Sequence, residues 1–273
     1  MVAISDRLPE MSPQEYLEWE EQQPIKHEYV NGYVYAMAGG TIPHNIIAVN
    51  LTNALKNHLK GKGCLVLSAD AKLGISEQGP FHYPDVMVTC DERDRKAIKM
   101  VRYPCLIVEV FSPSTEARDR GDKFTHYRRI STLKEYVLIS ADSLSVECYR
   151  LNDRGKWELT HYSLEESTLS ETELEINLTS VDFSCPISQL YENTEWRNAA
   201  VDRVTAERER QMAARAVAME NLNRNVERAA RTAEAAGLEL EKSMRKAEVD
   251  RAEIDRIVEY LMGKNSNSGS PTS

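Results

Sequence analysis

No two cysteines in this chain are spaced as CxxC, and the five present, at positions 64, 90, 105, 148 and 185, are scattered. That pattern offers neither a zinc site nor a disulfide framework, and buried free thiols are the expectation. No apolar run approaches the roughly 20 residues needed to cross a bilayer, so no membrane helix is expected. The opening residues, MVAISDRLPEMSPQEYLEWEEQQ, lack a charged start followed by an apolar stretch. A secretory signal is not expected there, and the cytoplasm is the expected location. A surplus of positive charge is missing too. The formal charge is −9, which speaks against a broad non-specific nucleic-acid surface, because phosphates bind to cations. About 14 basic and 14 acidic residues follow residue 194, so nearly all the acidic excess lies before it. Any nucleic-acid contact then needs a local basic patch or a metal. No base-reading helix or aromatic stacking motif stands out.

What remains is enough for one substantial domain with an appendage. The chain has 273 residues, of which 41% are hydrophobic, and a domain of about 150–200 residues buries a core without covalent staples. Residues 12–22 read as a short helix, with Ser12 as cap, Pro13 in the first turn and Glu15 three positions on. HEYVNGYVYAM holds two strand-like runs around Asn31 and Gly32, a strong hairpin signal. Residues 44–60 have largely helical apolar spacing and stop at Gly61 and Gly63. Strands are expected over 64–75, 82–90, 105–111 and 134–140, with a helix over 116–130 before the last of them. SVECYRL and KWELTHY form a closing hairpin. The order helix, three strands, helix, strand predicts an α/β unit around a mixed sheet, spanning residues 1–194. From 195 to 262 there is no proline and one glycine, and alanine, glutamate and arginine dominate. A long helix is expected, with a weak coiled coil from the spacing of Leu240, Met244, Ala247, Ile254, Val258 and Leu261. Residues 263–273 read as a disordered tail.

Candidate chemistry starts at Glu109. Alternation along 105–111 sets it on one face with Cys105, Ile107 and Phe111, surrounded by apolar neighbours. A charged carboxylate there has to be paired, protonated or metal-bound. Asp85, in YPDVMVT, shares a face with Tyr83, Met87 and Thr89. A lone Pro-Asp reads as a turn, but a second acid on a neighbouring strand makes the two a pair of hard oxygen ligands suited to Mg²⁺ or Mn²⁺. Asp119, Lys123 and Tyr127 form one stripe of the following helix; by themselves they read as a surface ion pair over a packing tyrosine. Ser112 and Ser114 have no elbow motif and no partnered histidine nearby, so they read as helix-entry residues.

The stretches HEYVNGYVYAMAGGTIPHNIIAVNL, YPDVMV and PCLIVEVFSPSTEARDRGDKFTHYRRISTLKEYVLIS resemble the Uma-two restriction-endonuclease family of the PD-(D/E)xK nuclease superfamily, over roughly residues 10–190. The resemblance implies a restriction-endonuclease-like fold in which an aspartate on the second core strand and a glutamate on the third hold a metal. These match Asp85 and Glu109. It departs from the general superfamily at the lysine: ExK would place it at 111, where this chain has Phe111, and the family resemblance moves the lysine to Lys123. The Val110 carbonyl is a further expected metal ligand, and Asp70, Glu28 and His44 are accessory candidates. Phosphodiester hydrolysis with Mg²⁺ or Mn²⁺, on DNA, by a homodimer is the expectation. The alternative is an inactive nuclease-fold scaffold that acts through its C-terminal helix. Metal binding that depends on Asp85 separates the two.

Overall fold

A computed structural model describes residues 10–37 and 39–265 of the chain. The reading of the first nine residues, and of the tail from 266 on, lies outside the described residues. One compact unit runs to Ala206 and a second starts at Glu207.

Local signals build the first unit in order. Ser12 caps α1 (Pro13–Glu20) with a reciprocal capping box: its backbone N–H donates to Glu15 Oε2 at 2.8 Å, and its Oγ accepts from the Glu15 N–H at 3.3 Å. Strands β1 (His27–Val30) and β2 (Tyr33–Ala36) pair across Asn31 and Gly32, whose φ values of 51° and 92° are those of a tight primed turn. Helix α2 (Ile42–His58), capped by Thr41, buries Ile47, Leu51 and Leu55 completely. Each contributes about 1.5–3 kcal/mol to holding the helix on the sheet.

The strands expected over 64–75 and 82–90 each divide in two. β3 (Leu65–Ser68) and β6 (Val86–Thr89) join one sheet, while β4 (Leu73–Gly74) and β5 (Phe81–His82) join another. The breaks have local causes. Ala69 turns the chain with φ of 45°, and Pro84 has no N–H to give to a ladder.

After α3 (Glu92–Arg95) comes β7 (Leu106–Phe111), buried along its whole length. The helix expected over 116–130 is composite and shorter: α4 (Glu116–Arg118), a π-helical turn over Asp119–Lys123, and α5 (Phe124–Tyr127). β8 (Glu135–Ser140), β9 (Ser145–Leu151) and β10 (Trp157–Ser163) complete a six-stranded sheet in the order β10-β9-β8-β7-β6-β3. Only β7 and β8 run parallel in it, which makes the sheet mixed. A smaller sheet, β2-β1-β5-β4, carries Tyr29 and Phe81, on which Tyr16 of α1 stacks. A hairpin of β11 (Glu175–Leu178) and β12 (Phe183–Pro186), followed by α6 (Ile187–Leu190), had no clear sequence signal. It closes the core beside α2. Helix α7 (Glu195–Asn265) begins in the first unit, where Val204 packs on that core, and continues through the second.

Alternation on β7 decides which core each residue enters. Leu106, Val108 and Val110 face the core under α2, while Ile107 and Phe111 face the opposite core with Tyr127 and Tyr136. Glu109 is on that second face by the same period of two.

The cysteine expectation is corrected for one pair. Cys64 and Cys90 are joined in a disulfide. They flank the antiparallel β3–β6 ladder, whose register sets Leu65 against Thr89 and so brings the two thiols opposite each other. A separation of 26 residues hid this in the sequence. Cys148 and Cys185 are buried free thiols, and Cys105 is free but only partly buried.

Candidate active site

Glu109 lies at the centre of the site, 2% exposed. Its Oε1 is 2.9 Å from Lys123 Nζ and accepts a 2.6 Å hydrogen bond from the Tyr127 hydroxyl. Lys123 is itself buried and lies 3.1 Å from Asp119 Oδ1 and 3.9 Å from Glu28 Oε1. The i, i+4 pair of Asp119 and Lys123 therefore exists, but inside the protein and shared with Glu109. Asp85 sits just before β6, partly exposed. Its Oδ2 accepts from the Val110 N–H at 2.7 Å and lies 3.1 Å from His44 Nε2. The strand end at β7 thus fixes the aspartate through a backbone donor. The Val110 carbonyl leaves β7 on the same edge as that N–H, as strand geometry requires.

The structure brings together Asp85, Glu109, Lys123, Glu28, His44 and the Val110 backbone. It leaves Asp70 out: that residue is exposed on the turn after β3, with no side-chain hydrogen bond or ion pair among the described residues. Ser112 and Ser114 pair with each other at 2.9 Å at the entry to α4.

Glu28, an accessory candidate in the sequence, is joined here by Arg118, His82 and His126, which carried no sequence signal. Glu28 is 1% exposed and is bound by Arg118; His82 Nδ1 faces its Oε1 at 3.1 Å. On its other side, His82 Nε2 meets His126 Nδ1 at 3.0 Å, with the two rings stacked. Gly40 is needed close by: a Cβ there would fall 2.6 Å from His44 Nδ1 and push the imidazole off Asp85.

Charge in this enclosed space is out of balance. Four carboxylates, Glu28, Asp85, Glu109 and Asp119, converge on two permanent cations, Lys123 and Arg118. Burial raises the Glu109 carboxyl, Lys123 opposes the rise, and Asp85 and Asp119 reinforce it. Burial alone would lower the Lys123 ammonium, but Glu109, Glu28, Asp119 and Asp85 outweigh it and hold it charged. Glu28 shows the reverse balance, with Lys123, His82 and Arg118 overcoming its burial to keep it ionised. The hydrogen bond to Asp85 raises His44 against its own burial. His126 is pushed down to about 4 by burial and by the neighbouring His82.

The donor set meets a hard cation in one way and not another. Among the described residues no group of three or more His, Cys, Asp and Glu is placed to hold a metal ion. Asp85 at the edge of a groove and Glu109 buried behind it are instead the two-carboxylate set that Mg²⁺ uses when water and phosphate fill its other positions. On that chemistry the residues fit such an ion.

The sequence profile of the Uma2 family, described as "Putative restriction endonuclease", matches residues 13–183, more than half of the chain. An uncharacterized Synechocystis protein, slr1290, is 42% identical over 183 residues, covering 67% of this chain and 92% of its own length. A second Synechocystis protein, sll1609, is 34% identical over 158 residues, 57% of this chain and 89% of its own. A crystal structure from Anabaena variabilis, titled a "putative nuclease belonging to DUF820", superposes with a TM-score of 0.54 at 15% identity, covering 66% of this chain and 97% of that one. That likeness shows a shared fold, the restriction-endonuclease-like mixed sheet. No helix among the described residues is long and apolar enough to cross a membrane. By the extent of the profile match and the identity to slr1290, the chain belongs to the Uma2 family.

Proposed function

We propose that this protein is a Mg²⁺- or Mn²⁺-dependent nuclease that hydrolyses phosphodiester bonds in DNA. The observation that carries the reading is the buried Glu109–Lys123 pair, 2.9 Å apart, beside an aspartate pinned by the Val110 N–H. Asp85, Glu109 and the Val110 carbonyl would hold the ion. Such an ion, when bound, polarises a phosphate oxygen and lowers the pKa of its water.

The chain's own groups do the rest. Lys123, kept charged by its acidic neighbours, stabilises negative charge that builds on the attacking oxygen and on phosphorus. Tyr127 fixes the Glu109 rotamer from below. His44, on the rim and tied to Asp85, supplies a phosphate contact or a proton for the leaving oxygen. Cutting both strands of a duplex calls for two sites, so the reading includes a homodimer joined through α7.

Cleavage of supercoiled and single-stranded DNA with Mg²⁺ or Mn²⁺ tests it. Asp85→Ala and Glu109→Ala are expected to slow cleavage by roughly 100-fold or more, the scale seen when a group that stabilises a transition state is removed. Wild-type rates in both variants would take these carboxylates out of the mechanism.

A further inference from the structure

A groove of about 230 Å³ runs along one face of α2, from His44 and Asp85, which are part of its wall, to Lys56, with Ala48 and Val49 among the residues between them. Its lining residues recur at steps of about four along the helix, so they form one stripe. Residues 29–69 contain no aspartate or glutamate, 41 consecutive positions in a sequence that holds 43 such residues in 273. The same stretch carries Lys56, Lys60 and Lys62.

Helix electrostatics do not account for this. Lysines near a helix C-terminus complement its dipole, but acids in the first turn would do so equally well, and α2 has none. Packing does not account for it either, because Asn53 and Lys56 are exposed and Val49 is 56% exposed. A groove whose one acidic lining residue is the candidate catalytic aspartate, and which ends at Lys56, suits a polyanion.

We infer that the α2 groove is the track of the DNA strand that carries the scissile phosphate, with Asn45, Thr52 and Asn53 contacting its backbone and Lys56 neutralising a phosphate at the far end. The inference rests on the nuclease reading and names where its substrate lies. Lys56 is about 18 Å along the helix from His44 at 1.5 Å per residue. A duplex rises about 3.4 Å per base pair along its axis, so a duplex lying parallel to α2 sets roughly five base-pair steps beside the groove.

Fluorescence anisotropy with a labelled 20-mer, single-stranded and duplex, tests the assignment on the full chain in EDTA, alongside Mn²⁺-supported cleavage kinetics. Lys56→Glu combined with Asn53→Asp is expected to weaken binding and raise KM about tenfold or more while kcat stays within twofold. Lys56→Ala is expected to lower the salt slope of binding by about one. Lys99→Ala, a lysine paired with Glu21 on a different surface, serves as control and should bind as wild type. Both groove positions are exposed, so unchanged thermal melting is expected to accompany the loss. Groove variants that bind and cleave like wild type, or a wild-type chain that binds neither probe, overturn the assignment. Weakened binding without any wild-type cleavage would keep the groove and discard the nuclease. Cleavage indifferent to the groove variants would do the opposite.

Discussion

At the residue scale the site is governed by one amine among acids. Lys123 Nζ lies within 3.1 Å of both Glu109 and Asp119, and all three are buried. Removing a partner from a buried ion pair costs about 3–5 kcal/mol, because it strands the opposite charge. Lys123→Met is therefore expected to lower unfolding free energy by an amount of that order at alkaline pH, where Glu109 is ionised, and by less at neutral or acid pH, where burial keeps Glu109 protonated. Urea unfolding at two pH values checks this. A loss below about 1 kcal/mol, or one independent of pH, would show that the amine does not hold the cluster together. The sequence made Glu109 legible, since an acid in the apolar run LIVEVF stands out by alternation alone. Lys123 was legible only through the family resemblance, because i, i+4 spacing with Asp119 reads equally well as a surface pair. Glu28, His82, Arg118 and His126 were not legible as a group. They meet from two strands of the smaller sheet and from α4 and α5, and no local period reports contacts between residues 28, 82 and 118.

At the element scale, strong local chemistry survived into the structure. The capping box at Ser12 and the Asn31–Gly32 turn depend on neighbours within three positions, and both formed. Strand ends did not follow, because whether β3 continues into β4 depends on which sheet offers a partner, a tertiary fact. The pairing of Cys64 with Cys90 was hidden for the same reason. Helix α7 shows a longer regularity than its second half suggests. Met212, Met219, Val226, Leu240 and Ile254 fall on one seven-residue register, which Ala233, Ala247 and Leu261 complete. The first five are each more than half exposed. A strict seven-residue repeat favours a left-handed coiled coil. The alternate seam is poor, with Ala216, Gly237 and Arg251 interleaved among Met244 and Val258, so association should be weak. Sedimentation of the full chain is expected to show a reversible dimer that Leu240→Asp with Ile254→Asp converts to monomer. A wild-type monomer at all concentrations, or a variant that still dimerises, removes the helix from assembly.

At the scale of the whole molecule, the proposed metal site ties stability to an added cation in a way that can be measured. Burial raises the Glu109 carboxyl above its ordinary value, so the metal-free fold prefers the protonated form. The sign follows from linkage: between the ordinary carboxylate pKa and the raised one, the native state holds more protons than the unfolded chain, and stability falls as pH rises through that window. An ion bound by Asp85 and Glu109 needs the ionised form. Binding should therefore release a proton and offset the fall. A ligand that binds only the native state stabilises it by about 2.7 kcal/mol at a hundredfold excess over Kd. Mn²⁺ is accordingly expected to raise the melting temperature, more at pH 8 than at pH 5, with calorimetric heats that change with buffer ionisation enthalpy. Asp85→Asn and Glu109→Gln should each abolish the shift, whereas Asp70→Asn should not, since Asp70 stands outside the cluster. A fold retained as an inert scaffold has no reason to bind Mn²⁺ at these two carboxylates. A flat response to Mn²⁺ in the wild-type chain at pH 8 would favour the scaffold over the enzyme.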